Sequence, residues 1–390
     1  MVPTRRPARS VARCGAIAAA LLTPFLLAAT RGQSSLPPTH YSLVDFSLLL
    51  GSHHDGSVSI ASMNRSGQVA GYLEYADAKT TQGADRAFVW RDGRVTWLPP
   101  LPGFSHSAAL AQNQEGVVVG KVRGDWRVGQ VPSRWRMARV GGRSEDAGSG
   151  TRACEWVNGR PRLLGTGHSG NSVAMAINAR GDVVGGYSTP SSHGHDDHAC
   201  LWRYGGGFLD LGPVVGLPAR ERGTGWVATS INSQGEVWGR VTGANVGQAG
   251  PTRVFWKKGR ARPATPQDEQ RMAEVRNRRG QVLRGSELVS GGQATPLLWK
   301  GRAAFGSDLN DLGDVVGGMP AIKLNLGPFV QRSDYDSHAF LYRAGRMYDL
   351  NDLVSQGAGE VLTQAVNIDD AGRILVWGRN RPLLLFPSHG

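Results

Sequence analysis

Apolar residues along the chain come in short alternating runs broken by Asn-x-x-Gly and x-Gly turns, and the same unit occurs seven times. The clearest copy spans residues 174 to 202. Ala174, Ala176 and Ile177 lead into Asn178-Ala179-Arg180-Gly181, then Val183, Val184 and Gly185 follow, and after an insertion comes Ala199-Cys200-Leu201-Trp202. Alternation with a period of two marks half-buried strands. Asn at the first position of a type I turn and Gly at the fourth make the flanking runs a hairpin.

The turn returns at Asn64-Arg65-Ser66-Gly67, Asn113-Gln114-Glu115-Gly116, Asn232-Ser233-Gln234-Gly235, Asn277-Arg278-Arg279-Gly280, Asn310-Asp311-Leu312-Gly313 and, with Asp for Asn, Asp369-Asp370-Ala371-Gly372. Each third run ends on an aromatic residue, Trp90, Trp156, Trp202, Trp256, Trp299, Tyr342 or Phe386, expected to wedge between neighbouring sheets. A second hairpin follows at Asp92-Gly93, Asn158-Gly159, Lys258-Gly259, Lys300-Gly301 and Ala344-Gly345. In the fifth unit this makes Pro296-Leu297-Leu298-Trp299 the third strand. Four strands per unit and seven units of about fifty residues predict a seven-bladed β-propeller. A right-handed β-helix is the structural alternative, but its repeats are shorter and lack two hairpins each. The best helical candidate, residues 265 to 276, is charged and short.

The seventh unit supplies only three strands, whereas Tyr41 to Phe46 precedes the first unit and has the pattern of a fourth. The expectation is therefore an all-β, seven-bladed β-propeller over residues 41 to 390. Its ring is closed by the N-terminal strand Tyr41 to Phe46 in the last blade, paired with Leu383 to Phe386.

Residues 1 to 32 read as a signal peptide: Arg5, Arg6, Arg9 and Arg13, an apolar stretch over 16 to 29, and a small-residue zone over 28 to 32. The apolar stretch is about 14 residues, short of a bilayer span. Arg5-Arg6 hints at twin-arginine export, although Pro7-Ala8 follows where an apolar residue belongs. A polar linker covers 33 to 40. The mature chain is expected to be secreted, periplasmic or cell-surface, monomeric, and without a transmembrane segment. The formal charge is +13, of which the four n-region arginines carry four, so the rest is still basic. That favours anionic surfaces or extracellular polysaccharide as partners. No stacking-plus-arginine module of a nucleic-acid binder occurs, so nucleic acid is not an expected partner. Cys154 and Cys200 hold matching places in neighbouring units, and two buried free thiols are expected rather than a disulfide.

His338-Ala339-Phe340, with Ile177-Asn178 and Gly181 through Gly185, resembles the bacterial extracellular HAF-repeat family, over nearly the whole mature chain. The resemblance implies export and a repeat-built β fold; it carries no reaction. His is present at His198 and His338, and Arg86 and Arg152 replace it elsewhere.

Candidate chemistry follows from topology. The tight turns share one face of the disc, and the insertions 121 to 152, 187 to 197 and 319 to 337 share the other, where ligand contacts are expected. Trp126 and Trp135 have no repeat equivalent and are candidates for stacking on sugar rings. His193, His195 and His198 with Asp196 and Asp197 form an imidazole-carboxylate cluster suited to a divalent metal, the only cofactor any motif implies; the alternative is a solvated loop with His198 hydrogen-bonded structurally. Asp334-Tyr335-Asp336 offers oxygen ligands for calcium but lacks the count of a calcium loop, and Asp45, Asp210 and Asp349 read as strand-end residues. Arg94, Arg160, Arg260, Arg302 and Arg346 follow the second turns and build a basic rim, either solvated or anion-binding. Nucleophile-elbow and zinc-protease motifs fail. The functional expectation is a binding or cell-surface interaction module for carbohydrate or polyanionic ligands. A glycan-acting extracellular enzyme with its site on the insertion face is the second reading, and a purely structural surface protein the third.

Overall fold

The computed structural model describes residues 40–50, 56–76, 83–124, 139–140, 143–144, 150–167, 170–191, 194–212, 225–242, 253–258, 260–320, 337–354, 361–379 and 381–388. The signal peptide and the linker up to residue 39 lie outside them. Among the described residues the chain forms seven four-stranded antiparallel sheets. Sheet 1 is Gly56–Met63, Val69–Ala76, Gly83–Arg91 and Arg94–Trp97; sheet 2 is His106–Gln112, Val118–Arg123, Arg152–Val157 and Arg160–Leu163. Sheet 3 is Ser172–Ile177, Val183–Ser191, Gly194–Trp202 and Phe208–Asp210; sheet 4 is Gly225–Ile231, Val237–Thr242, Arg253–Lys257 and Arg260–Pro263. Sheet 5 is Glu274–Arg276, Val282–Arg284, Glu287–Ser290 and Gln293–Pro296; sheet 6 is Phe305–Leu309, Val315–Pro320, Ser337–Arg343 and Arg346–Asp349. Sheet 7 joins Gln364–Ile368, Ile374–Trp377 and Pro382–Ser388 to His40–Asp45 from the other end of the chain.

The paired valines explain how the sheets meet. Successive side chains of a strand face opposite ways, so two adjacent apolar residues need cover on both sides. Val183 packs with Val119 and Ala153 of sheet 2, whereas Val184 packs with Trp226 and Val254 of sheet 4. Val315 and Val316 divide in the same way between sheets 5 and 7, and Ile374 and Leu375 between sheets 6 and 1. The core is accordingly a series of clusters between successive sheets. It includes one where Phe46, Leu375 and Leu384 meet Val58, Phe88 and Trp90. Each fully buried valine or leucine contributes about 1.5–3 kcal/mol. Trp90, Trp156 and Trp256 are fully buried, as wedges should be. Cys154 and Cys200 are free and buried, and they lie in different clusters, which is why they do not pair.

The second glycine of the repeat has a local cause. In the first strand of sheets 1, 2, 3, 4, 6 and 7 the register slips by one residue, a β-bulge. The bulge tips a carbonyl towards the second strand: a Cβ at Gly185 would stand 1.9 Å from the Val173 oxygen. Sheet 5, whose second strand has no such glycine, pairs without a slip, whereas sheet 7 keeps the slip with Val376 in the glycine's place.

Expected pairings mostly hold. Tyr41 stands opposite Pro387, Ser42 opposite Phe386 and Asp45 opposite Leu383, as proposed for the N-terminal strand; Phe46 instead begins a short helix, Phe46–Leu49, capped by Asp45. The second hairpins at Asp92-Gly93, Asn158-Gly159, Lys300-Gly301 and Ala344-Gly345 have positive φ at both residues, the type I′ turn. The fifth unit is a correction. Its third and fourth strands are Glu287–Ser290 and Gln293–Pro296, joined at Gly291-Gly292, and Leu298–Trp299 with Arg302–Ala303 is a separate two-stranded hairpin. Gly291 and Gly292 both take positive φ, so this pair supplies the turn assigned to Lys300-Gly301. Over residues 187–191 and 194–197 the insertion is also no loop: these residues prolong the hairpin, with Tyr187 opposite His198 and Ser191 opposite Gly194. The helical candidate becomes Pro266–Met272, with a Thr265/Asp268 capping box. Among the described residues no helix is long and apolar enough to cross a membrane.

Candidate functional site

The Asn of five of the first turns works on two sides. In Asn178 the Oδ1 accepts from the Arg180 and Asp182 amides, both at 2.9 Å, which shapes the turn, and the Nδ2 donates to the Asn232 carbonyl of the next sheet at 3.1 Å. The same reach joins Asn64 to Asn113, Asn113 to Asn178, Asn277 to Asn310 and Asn310 to Asp369. Asn232 donates to Glu236 instead; there the Trp238 indole N–H reaches the Asp268 carbonyl at 3.0 Å. Asp369 has no amide to donate. Its place is filled by Arg373, which bonds Asp369 at 2.5 Å and the Ser66 carbonyl of sheet 1 at 2.8 Å.

Arg65 crosses between these turns. Its guanidinium bonds Asp311 of sheet 6 at 3.0 Å and the Arg276 carbonyl of sheet 5 at 3.2 Å, and its amide donates to Gln114 of sheet 2 at 2.8 Å. Nearby, Asp308 accepts from the Leu309 and Ile368 amides and from Asn367, yet burial pushes its carboxyl above the ordinary range.

The histidines of the repeat are tied up by the fourth strand. His338 Nδ1 lies 2.6 Å from Asp349, and His198 stacks on Tyr187 with centroids 4.8 Å apart, near Thr189 at 3.1 Å and Asp210 at 3.7 Å. Arg381 bonds Asp45 at the same place in sheet 7, and Arg86 lies 4.0 Å over Trp97 in sheet 1. Asp45, Asp210 and Asp349 thus do more than end strands: each receives the basic residue of the motif. In the metal cluster, His193 and the side chain of His195 lie outside the described residues, and among the described residues no group of three or more metal-ligating side chains gathers. Trp126, Trp135 and Asp334-Tyr335-Asp336 lie outside the described residues too. Burial pushes both cysteine thiols above their ordinary range. Arg94, Arg160, Arg260, Arg302 and Arg346 are all exposed at the second turns; Arg302 belongs to the extra hairpin.

One of these arginines faces a groove. Between sheets 2 and 3, on the face of the tight turns, an open depression of about 1130 Å³ is lined by Glu115, Glu155, Arg160, Arg162, Arg180 and Tyr204. The third unit departs here from its copies: the three residues Tyr204-Gly205-Gly206 replace the two-residue second turn, closed by Arg203 N–H to the Gly207 carbonyl at 2.9 Å. The Tyr204 side projects into solvent, with the residue 78% exposed, and one side of the ring rests on Gly181, where a Cβ would stand 2.7 Å from Cδ2. Arg162 is bonded to the buried Glu155 at 2.5 Å, and Arg180 sits 3.5 Å from Asp182. Sequence reasoning placed Arg160 on this face as part of a basic rim but sought sugar contacts on the opposite face, and it missed this groove. The signal was the longer glycine-rich turn.

No protein-family model and no curated protein matches the chain. Among solved structures it is similar to a streptogramin B lyase, at 8% identity over 91% of this chain and 100% of that one, with a TM-score of 0.38. A protein of unknown function from Dyadobacter fermentans gives 13% identity over 91% and 97%, TM-score 0.34. The β-propeller domain of the Trilobed protease from Pyrococcus furiosus gives 7% over 86% and 84%, TM-score 0.29.

Proposed function

We propose that the chain is an exported seven-bladed β-propeller, its ring closed by His40–Asp45, that serves as an extracellular binding module for carbohydrate or anionic ligands. Closure is supported by the apolar cluster that unites sheets 7 and 1 and by Arg65, which reaches sheets 5 and 6 from sheet 1. Such a reach needs the first turns to converge on one axis. Export rests on the basic and apolar N-terminal segment and on the resemblance to extracellular HAF-repeat proteins.

The observation that carries the binding role is the groove between sheets 2 and 3, where an exposed aromatic ring stands among arginines on neighbouring hairpins. Aromatic and arginine side chains are the groups most enriched at recognition surfaces. The purified protein, screened against an array of neutral glycans, acidic glycans and polyanions at two salt concentrations, should bind at least one class. Absence of binding to every member would overturn the role.

A further inference from the structure

Resting on that reading, we infer that the groove between sheets 2 and 3 takes a chain of neutral pyranose sugars, with Tyr204 as the platform on which one sugar ring lies. The platform is unique to the third unit, because its second turn is one residue longer than the Asp92-Gly93 and Asn158-Gly159 turns and carries Tyr204 before three glycines. One side of the ring rests on Gly181, so the phenol is fixed from below and its other side stays open to a ligand. The Tyr204 amide donates to Asp182 at 3.2 Å, which holds the turn over the first hairpin.

Charge selects the ligand. The chain as a whole carries a formal +13, whereas the three arginines of the groove lining face two glutamates there and Asp182 just outside it, so the groove is close to neutral. Glu155 answers Arg162, Asp182 answers Arg180, and the exposed Glu115 on one wall offsets Arg160 on another. A polyanion would meet carboxylates here and gain little. Sugar hydroxyls both donate and accept, and this lining offers guanidinium donors beside carboxylate acceptors. The volume of about 1130 Å³ exceeds the usual span of a small-molecule pocket, which suits several sugars in a row.

The test is isothermal titration of the full chain with hexasaccharides of β-1,4-glucan, β-1,3-glucan, α-mannan and β-galactan, with polygalacturonate, heparin and a single-stranded oligonucleotide as charged arms, at low and high salt. The expected result is binding to a neutral hexasaccharide that does not change with salt. Tyr204→Ala should weaken it about three- to tenfold, and Tyr204→Phe should retain it. Arg160→Gln should weaken it without introducing salt dependence. Tyr204 is exposed, so its variants fold, and unchanged thermal unfolding checks that. Glycan binding that survives Tyr204→Ala, or binding only to the charged arms and lost at high salt, overturns this inference and leaves the binding role standing. No binding to any arm overturns both.

Discussion

A single amide distinguishes Asn from Asp, and the first turns use it. The Oδ1 of either residue can accept from the turn amides, but only Asn can donate onward to the neighbouring carbonyl. Asn310 is fully buried and donates to both Asp369 O and Asp314, each at 3.1 Å. Asn310→Asp would therefore bring a carboxylate against two acceptors, and we expect a loss of about 2–3 kcal/mol, read from urea unfolding. A change within experimental error would mean that the contact between sheets 6 and 7 is not made through this amide. The replacement at Asp369 was visible in the sequence as a departure, but its remedy was not, because Arg373 acts on Ser66 more than three hundred positions away. The same holds for the histidines. Arg86 and Arg152 could be read as substitutes for His198 and His338; that Trp97 faces Arg86 whereas Asp210 and Asp349 face histidine depends on a pairing between strands three and four.

At the level of the element, turns carry most of what a sequence reader can use. Asn-x-x-Gly and the Asp-Gly or Asn-Gly pairs mark hairpins because they need φ values that few residues adopt cheaply, and those turns lie where the periodicity puts them. The fifth unit misled for the same reason. Pro296-Leu297-Leu298-Trp299 before Lys300-Gly301 looks like every other third strand, and only the competition with Gly291-Gly292 decides which pair closes the sheet. The helix Pro266–Met272 offers a pH test. Asp268 receives bonds from Arg262 at 2.5 Å, from Arg271 at 2.7 Å and from Thr265, and the Arg262 guanidinium holds its carboxyl well below the usual range. Its folded value lies below the unfolded one, so its stabilisation is complete above about pH 4 and is lost as the pH falls below that. Asp268→Asn should melt below the parent at neutral pH, with the gap starting to narrow only below about pH 4 and narrowing further as the pH falls. A gap that stays constant with pH would contradict the ion-pair account.

For the whole molecule, stability is distributed over interfaces between sheets, and the polar ties near the first turns join sheets distant in sequence. Arg65→Ala removes bonds to sheets 5 and 6 at once and leaves every strand pair intact. We expect a loss of about 2 kcal/mol with unchanged far-ultraviolet circular dichroism; an unaltered unfolding midpoint would argue that the first turns do not converge. The groove between sheets 2 and 3 belongs to this scale as well. It lies between two repeats, so no single repeat carries it, and periodicity led to the insertions instead. The central claim is that one end of the chain completes the sheet begun by the other. Hydrogen–deuterium exchange of the full chain tests it directly. Amides of His40–Asp45 that pair with Leu383 to Ser388 should exchange as slowly as the outer strands of the other sheets. Complete exchange of that segment within seconds, while Pro382–Ser388 stays protected, would contradict the closed ring.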